Sequence, residues 1–421
     1  MFQINSQSRF ALFFFFYYGY LGIVSPYLSL YFDAIGFTAI QISLLMSMLQ
    51  ITRIMGPFAW GWLADFRQDR IGIMRVTAVI SLILFTGIFY LQSFWPILLW
   101  MFLLNTFSSS LTPLGEAATL HALQKENAFE SRYGKLRLWG SIGFMLAVFA
   151  GGYWFESQGI SSLTWVGWIL LACVTLCTWI LWEPPMTGQP LSSGQMRHII
   201  KRPEVLWFFS STFWMIFAHA SLYVFYSLYL VKLGYGKEMI GFFWLIGVGA
   251  EVIYFYFQKR VYLKMSARRI IEISFLIGIV RFVVIAYVPA FWPLLIVQIF
   301  HAATFAAHHS ASIQLMLTWF QGPTQARGQA LYTTVAYGLG GSIGGVVAGW
   351  VWDSFGPAHA FGLSAVACIF GYFSIRQSSR MATTPLATLP KMSAIRPEKV
   401  KFMLLATDMQ RAVRFYKNVF G

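Results

Sequence analysis

Charge is scarce in this chain. Of its 421 residues only 11% are Asp, Glu, Lys or Arg, and just 15 carry a carboxylate. Soluble domains run at about 25% charged residues, so a chain of this length folded as two or three such domains would lack the polar surface to stay in water. Cysteine is scarcer still. Cys173, Cys177 and Cys368 all lie in apolar runs, which excludes a disulfide framework and a spaced metal-binding set. Cys173 and Cys177, four apart on one helix face, read as small packing residues. A short leader-type apolar core is missing too: the first apolar run, Phe10 to Phe32, is too long for one and reads as a spanning helix.

What the chain has instead is hydrocarbon. Hydrophobic residues make up 58% of it and aromatic residues 19%, with 41 Phe and 17 Trp, and the mean hydropathy is +0.63. A spanning helix needs roughly 20 apolar residues. By that rule twelve candidates fall near residues 9–32, 40–63, 75–93, 96–121, 136–156, 161–182, 206–231, 238–258, 268–287, 290–318, 328–351 and 356–375. The net charge of +15 raises the question of nucleic acid, and its placement answers it. With the N-terminus in the cytoplasm, 26 of the 30 Lys and Arg residues fall on cytoplasmic segments; only Lys232 and Lys237 fall outside, while Arg53 and Arg281 lie within spans. That is the asymmetry of an inner-membrane protein with both termini cytoplasmic. It is not a binding stripe for nucleic acid.

The longest internal polar stretch, Glu183 to Glu204, carries Pro184, Pro185 and Pro190 and leaves six spans on either side. The sequence therefore predicts an all-α membrane protein of twelve transmembrane helices in two six-helix halves, residues 1–182 and 206–375, joined by a cytoplasmic loop over 183–205. A cytoplasmic tail follows over 376–421. Such pairing of halves places a cavity between them. Charged groups at bilayer depth are costly unless they face a cavity or a partner, which singles out Arg53, Glu116, Arg137, Glu251 and Arg281, with His219, His301, His308 and His309. Glu251, Arg281 and His301 sit on three successive spans, and a carboxylate beside an imidazole and a guanidinium is proton-relay chemistry. The plainer alternative is that these charges only staple helices together. For His219, His308 and His309 the alternative is an ordinary hydrogen bond between bundle helices. The glycine run Gly338-Leu-Gly-Gly-Ser-Ile-Gly-Gly345, with Gly349 beyond, allows close helix approach, either sliding or static.

Several segments carry a resemblance. Gly61-Trp-Leu-Ala-Asp65-Phe-Arg67, after the second span, resembles the inter-helix G-x-x-x-D signature of the major facilitator superfamily. It departs from that signature in that Phe66 separates the usual Asp-Arg pair. Tyr133-Gly-Lys-Leu-Arg137-Leu-Trp139-Gly140 is similar to the proton symporter branch that includes lactose and nucleoside permeases. Gly249-Ala-Glu251 and Val297-Gln298-Ile-Phe-His301-Ala-Ala-Thr304-Phe305 resemble its 3-phenylpropionate permease-like members. The resemblance covers residues 10–375. It implies the major facilitator fold, proton coupling through Glu251, Arg281 and His301, and substrate binding by Arg137 and Glu116, with His219 and Gln298 as further contacts. It also implies a gating loop at Gly61, Asp65 and Arg67. No second carboxylate follows closely after His301, so coupling would rest on fewer groups than in that branch's sugar permease. Val400 to Gly421 resembles the opening strand and helix of a glyoxalase-like module, but 22 residues are too few for one and bring no metal ligands.

The function expected on these grounds is proton-coupled uptake of a small organic solute by alternating access, with no cofactor beyond the proton gradient and no enzymatic step. An aromatic carboxylate such as 3-phenylpropionate is the first substrate expected and a sugar or nucleoside the second. The partners expected are the solute, protons and the bilayer, without nucleic acid, and the unit expected is a monomer. Efflux on the same scaffold, a bifunctional enzyme with an active glyoxalase-like end, and a membrane protein without a pathway are the competing readings. They are distinguished by the direction of net transport, by activity of the tail, and by where the buried charges point.

Overall fold

The computed structural model describes residues 6–125, 129–183, 196–320 and 325–382. Twelve helices within them are long and apolar enough to cross a membrane. In chain order these are α1 (Ser6–Ala34), α2 (Ala39–Arg67), α3 (Arg70–Gly87), α4 (Phe94–Leu123), α5 (Phe129–Gln158), α6 (Leu163–Ile180), α7 (Pro203–Lys232), α8 (Lys237–Lys264), α9 (Ala267–Tyr287), α10 (Phe291–Trp319), α11 (Arg327–Phe355) and α12 (Pro357–Met381). A 29-residue helix such as α1 rises about 44 Å, which outruns a hydrocarbon core of about 30 Å and is accommodated by tilt. The glyoxalase-like segment expected over 400–421 lies outside the described residues.

Span limits differ from the sequence expectation at several ends, and three of the differences have a local reason. The third span begins at Arg70, where the Asp69 side chain accepts the Gly72 amide at 2.7 Å and caps the helix. The fourth is a broken rod: helix runs Phe94–Ser108 and resumes Leu111–Lys125, across the run Ser108-Ser109-Ser110. The hydroxyls of these three serines all bond back to carbonyls three residues earlier, which competes with the ladder. The twelfth continues to Met381, because Ser378 is buried against the first turns of α7 and α9 and Ser374 meets Ser210 further along α7.

The two six-helix halves repeat one another in their turns. α1 and α7 both end on a glycine at positive φ, Gly36 (94°) and Gly234 (87°), and both close with an amide reaching five residues back: Phe37 to Phe32 and Tyr235 to Leu230. α5 and α11 also end on glycines at positive φ, Gly159 (82°) and Gly356 (93°), here with extended ψ (154° and 171°). Only glycine takes either conformation without a Cβ penalty. Within the first half α1 packs on α5 and α6, and α3 on α4 and α6; within the second, α7 packs on α11 and α12, and α9 on α10 and α12. The halves meet through α2 with α11, α5 with α8, and α1 with α7.

The α2–α11 seam explains the glycine run. Gly340 and Gly344 face α7, where an added Cβ would lie 2.6 Å from the Phe213 and Phe217 carbonyl oxygens. Gly341, Gly345 and Gly349 face Gln50, Ser47 and Ser43 of α2. Two faces of one helix are cleared, one toward its own half and one toward the other. At the end of the bundle away from the termini, Asp353 closes the seam by accepting the amides of Ala39 (3.2 Å) and Ile40 (2.9 Å) at the start of α2. Glu156 of α5 accepts both the amide (2.8 Å) and the ammonium (3.2 Å) of Lys237 at the start of α8. These contacts hold the two halves together at that end. Exposed tryptophans ring the same end (Trp95, Trp154, Trp165, Trp292 and Trp350), and a second set, Trp62, Trp179, Trp182 and Trp207, rings the opposite one. These are the two aromatic belts of a bilayer-spanning bundle.

Candidate functional site

The polar centre of the second half is built on α7 to α10. α8 carries Glu251 and α9 carries Arg281. α10 carries Gln298, His301 and Thr304, its helix widening into a π-type turn over Ala302–Ala307. Such turns occur disproportionately at functional sites, and here the widening follows directly after His301. Arg281 is wholly buried. Its Nη1 donates to His301 Nδ1 and to Thr304 Oγ1, each at 2.9 Å, and its Nη2 donates to Gln298 Oε1 at 3.3 Å.

This geometry fixes the protonation pattern. A guanidinium only donates, so His301 Nδ1 accepts, and the ring proton sits on Nε2. That nitrogen lies 2.9 Å from Glu251 Oε1, so the imidazole donates to the carboxylate. His219 on α7 obeys the same logic. Its Nδ1 is 2.9 Å from the Met215 carbonyl and must donate. Its Nε2 therefore accepts, taking the Thr304 hydroxyl at 3.2 Å, while that hydroxyl accepts from Arg281. The result is a chain of Glu251, His301, Arg281, Thr304 and His219 in which every donor named has an acceptor. Glu251 and Arg281 balance one another's charge through a neutral ring rather than by direct contact.

Aromatic rings extend this centre toward the other half. His301, Phe305 and His309 stack along α10, with centroids 5.4 and 6.2 Å apart and planes within 13°. Tyr223 of α7 meets His301 and Phe305 edge-on, both at 6.4 Å. His309 Nδ1 lies 3.1 Å from the Tyr332 hydroxyl and 3.3 Å from that of Tyr337 on α11. Across the seam, the Arg53 guanidinium of α2 sits 5.8 Å over the Tyr337 ring, and its Nη1 donates to Gln50 at 3.3 Å. Among the described residues no carboxylate lies within ion-pair distance of Arg53. A part-buried cation is thus linked to the Glu251–His301 pair by a run of contacts through Tyr337, His309 and Phe305.

Of the residues singled out in the sequence, the structure gathers Glu251, Arg281, His301, His219 and Gln298 into this one cluster. Glu116 is buried on α4 in the first half and is not part of it. Arg137 is helical on α5, and its side chain lies outside the described ones, as does that of Asp65. His308, one residue from His309, turns away and is buried against Phe275 at 5.4 Å. The expected gating loop is not a loop up to Arg67. Helix α2 runs through Gly61 to Arg67, an exposed residue, and turns at Gln68 in the left-handed conformation (φ 52°). Among the described residues of this half, Arg70 makes an ion pair at this end with Glu183, which also meets His121 at 2.8 Å and ties α3, α4 and the end of α6 together. Thr304, Tyr223, Phe305 and Tyr337 were not assigned roles from the sequence. Thr304 and Phe305 fall in a motif that was read, whereas Tyr223 and Tyr337 are ordinary aromatic residues of apolar runs and give no linear signal.

Comparison with known proteins agrees with the twelve-helix fold. Residues 8–363 match the MFS_1 like family. The chain is 29% identical over 373 residues to a protein of Escherichia coli (strain K12) described as a probable 3-phenylpropionic acid transporter, covering 86% of this chain and 96% of that one. It is 22% identical over 369 residues to the maltose permease of Geobacillus stearothermophilus, covering 87% and 92%. Among solved structures it superposes on a nucleoside transporter with a TM-score of 0.81 at 16% identity, covering 89% of this chain and all of that one.

Proposed function

The chain belongs to the MFS_1 like family of membrane transporters, and from that premise we propose that it takes up a small aromatic carboxylate together with a proton, as a monomer of the inner membrane with both termini cytoplasmic. The observation that carries this reading is the buried chain Glu251–His301–Arg281. While Glu251 is ionised, its charge and that of Arg281 cancel. A proton arriving on Glu251 leaves the wholly buried guanidinium as an uncompensated charge, an unfavourable state that the negative charge of a substrate carboxylate held at Arg53 offsets in part through space. Proton and anion then bind cooperatively, each favouring the other by the same factor. Release to the other side reverses the order. The drive is the proton gradient alone, without a cofactor.

Three observations support the substrate class. The tract between Arg53 and His301 is walled by Tyr223, Phe305, His309 and Tyr337, which suits a planar aromatic body. Arg53 at its far end is a forked donor, the side chain best matched to a carboxylate. The E. coli relative described as a probable 3-phenylpropionic acid transporter aligns over nearly its whole length. Alternating access follows from the halves: the outer end is closed by Asp353 on α2 and Glu156 on Lys237, and rocking about the α2–α11 seam would open it. A sugar is the second reading, supported by the maltose permease relative. A sugar would leave Arg53 and Arg281 without an anion.

Uptake of labelled 3-phenylpropionate and of maltose into energised vesicles separates these readings. Uptake of the carboxylate faster than in vesicles lacking the protein, and abolished by a proton uncoupler, is the expected result. Maltose accumulation, net efflux, or indifference to the uncoupler would each displace it.

A further inference from the structure

A second polar feature lies away from the crevice, at the membrane face that carries the two termini. There the start of α9 and the end of α12 enclose a cleft of about 390 Å³ lined by Arg268, Arg269, Arg376 and Arg380, with Glu272 as its single carboxylate. Glu272 lies 3.6 Å from Arg269 and 4.0 Å from Arg376. One negative charge against four positive ones leaves the cleft strongly cationic.

Arg268 is the fixed wall. It is only 7% exposed, bonded through Nη1 to Ser378 of α12 at 3.0 Å and stacked over Trp319 of α10 at 5.5 Å. Ser378 in turn bonds the Glu204 carbonyl of α7 at 2.7 Å. The Nε of Arg268 is buried and has no partner. A buried donor left unmade is costly, and Arg268 lines the cleft beside the first turn of a 21-residue helix, whose N-terminus favours anions.

The surface below the cleft says which anion. Counting inward from Arg269 along α9, positions seven, eleven and fourteen residues on are Leu276, Val280 and Val283, on the same helix face and all exposed. Counting inward from Arg380 along α12, the same spacings give Phe373, Ile369 and Val366, again exposed. The two helices pack together. Each arginine therefore heads an apolar stripe that descends into the bilayer, the shape of a headgroup site above an acyl-chain track. We propose that this cleft binds the phosphodiester headgroup of an anionic membrane lipid, with Arg268 and the α9 N-terminus at its floor and Arg269, Arg376 and Arg380 at its rim. The site needs only the membrane embedding of the fold, and it stands whatever solute the central crevice carries.

The test is native mass spectrometry of the full chain in detergent, titrated with phosphatidylglycerol, phosphatidylcholine or inorganic phosphate. The wild type should retain phosphatidylglycerol in preference to phosphatidylcholine. The exposed pair R376Q/R380Q should lose that retention by about thirty-fold, at roughly fivefold per arginine. The control pair K259Q/R260Q removes the same charge from the same face outside the cleft and should change little. Equal retention of the two lipids, equal loss in both double variants, or unchanged retention in R376Q/R380Q would overturn the proposal. So would inorganic phosphate displacing the lipid at equal concentration, which would mark a free-anion site. A substitution that lowers lipid-free thermal stability is replaced by R269Q, whose side chain is largely in solvent, with the same expectation at about fivefold.

Discussion

Replacing Glu251 with glutamine keeps the side chain's shape and keeps an oxygen for His301 Nε2–H, which lies 2.9 Å from the carboxylate. Only the charge and the titratable site are lost. A charge-assisted hydrogen bond becomes a neutral one and the buried guanidinium loses its counter-charge, together costing up to about 3–5 kcal/mol; the protonated wild type passes through the same electrostatic state, so the fold should survive with lowered thermal stability. The electrostatic state becomes permanent: Arg281, wholly buried, has no opposing charge within the α7–α10 cluster, as in the protonated wild type. The variant should therefore still bind the anion and exchange it, but it has no proton to release. The loss can be sized. One proton carried with one monoanion moves no net charge, so accumulation follows the pH gradient alone, at about 1.36 kcal/mol or tenfold per pH unit. The membrane potential adds nothing. In proteoliposomes with an imposed gradient of about one pH unit, the wild type should approach the tenfold limit several times faster than protein-free vesicles, which drift to the same limit because the neutral acid crosses bilayers unaided, so the initial rate is the readout. Glu251→Gln should fill no faster than protein-free vesicles while exchanging labelled for unlabelled substrate at near wild-type rate. Net filling by the variant at the wild-type rate, or wild-type accumulation driven by potential at zero pH gradient, would refute the reasoning.

Three further outcomes are expected. Arg53→Gln should raise the KM for 3-phenylpropionate by roughly 10- to 100-fold, the worth of a charged hydrogen bond, and should leave transport of the corresponding uncharged amide unaffected; an equal loss for both compounds would make Arg53 a packing residue. Asp353→Ala removes the acceptor of the Ala39 and Ile40 amides, a capping contribution of about 1–2 kcal/mol. Spin-label distances between the ends of α2 and α11 should then shift toward the outward-open state by roughly 5- to 30-fold in population, and an unchanged distribution would remove the carboxylate from the gate. Gly340→Leu drives a side chain into the Phe213 carbonyl of α7, 2.6 Å from an ideal Cβ. It should cost about 1–3 kcal/mol, read as lowered thermal stability in detergent, and the absence of any change would mean that α7 and α11 are not packed this closely.

The twelve spans and their grouping into two halves were legible in the linear sequence, because a bilayer demands apolar runs of one length and the alternation of basic loops records each crossing. Glu251, Arg281 and His301 were legible for a related reason: an ionisable group in hydrocarbon is conspicuous whatever surrounds it. What the chain could not declare was which partners these groups choose. His219 and Gln298 join Arg281 rather than standing apart, and Thr304 bridges two of the group through a single hydroxyl. Arg53 comes to rest over Tyr337, more than two hundred residues away in the sequence. The glycines of α11 divide between two faces, one packed on α7 and one on α2, although in sequence they form a single run. Cost in hydrocarbon is a property of one residue and is written in composition and spacing. Pairing is a property of distance, and distances between helices exist only once the seams between them have closed.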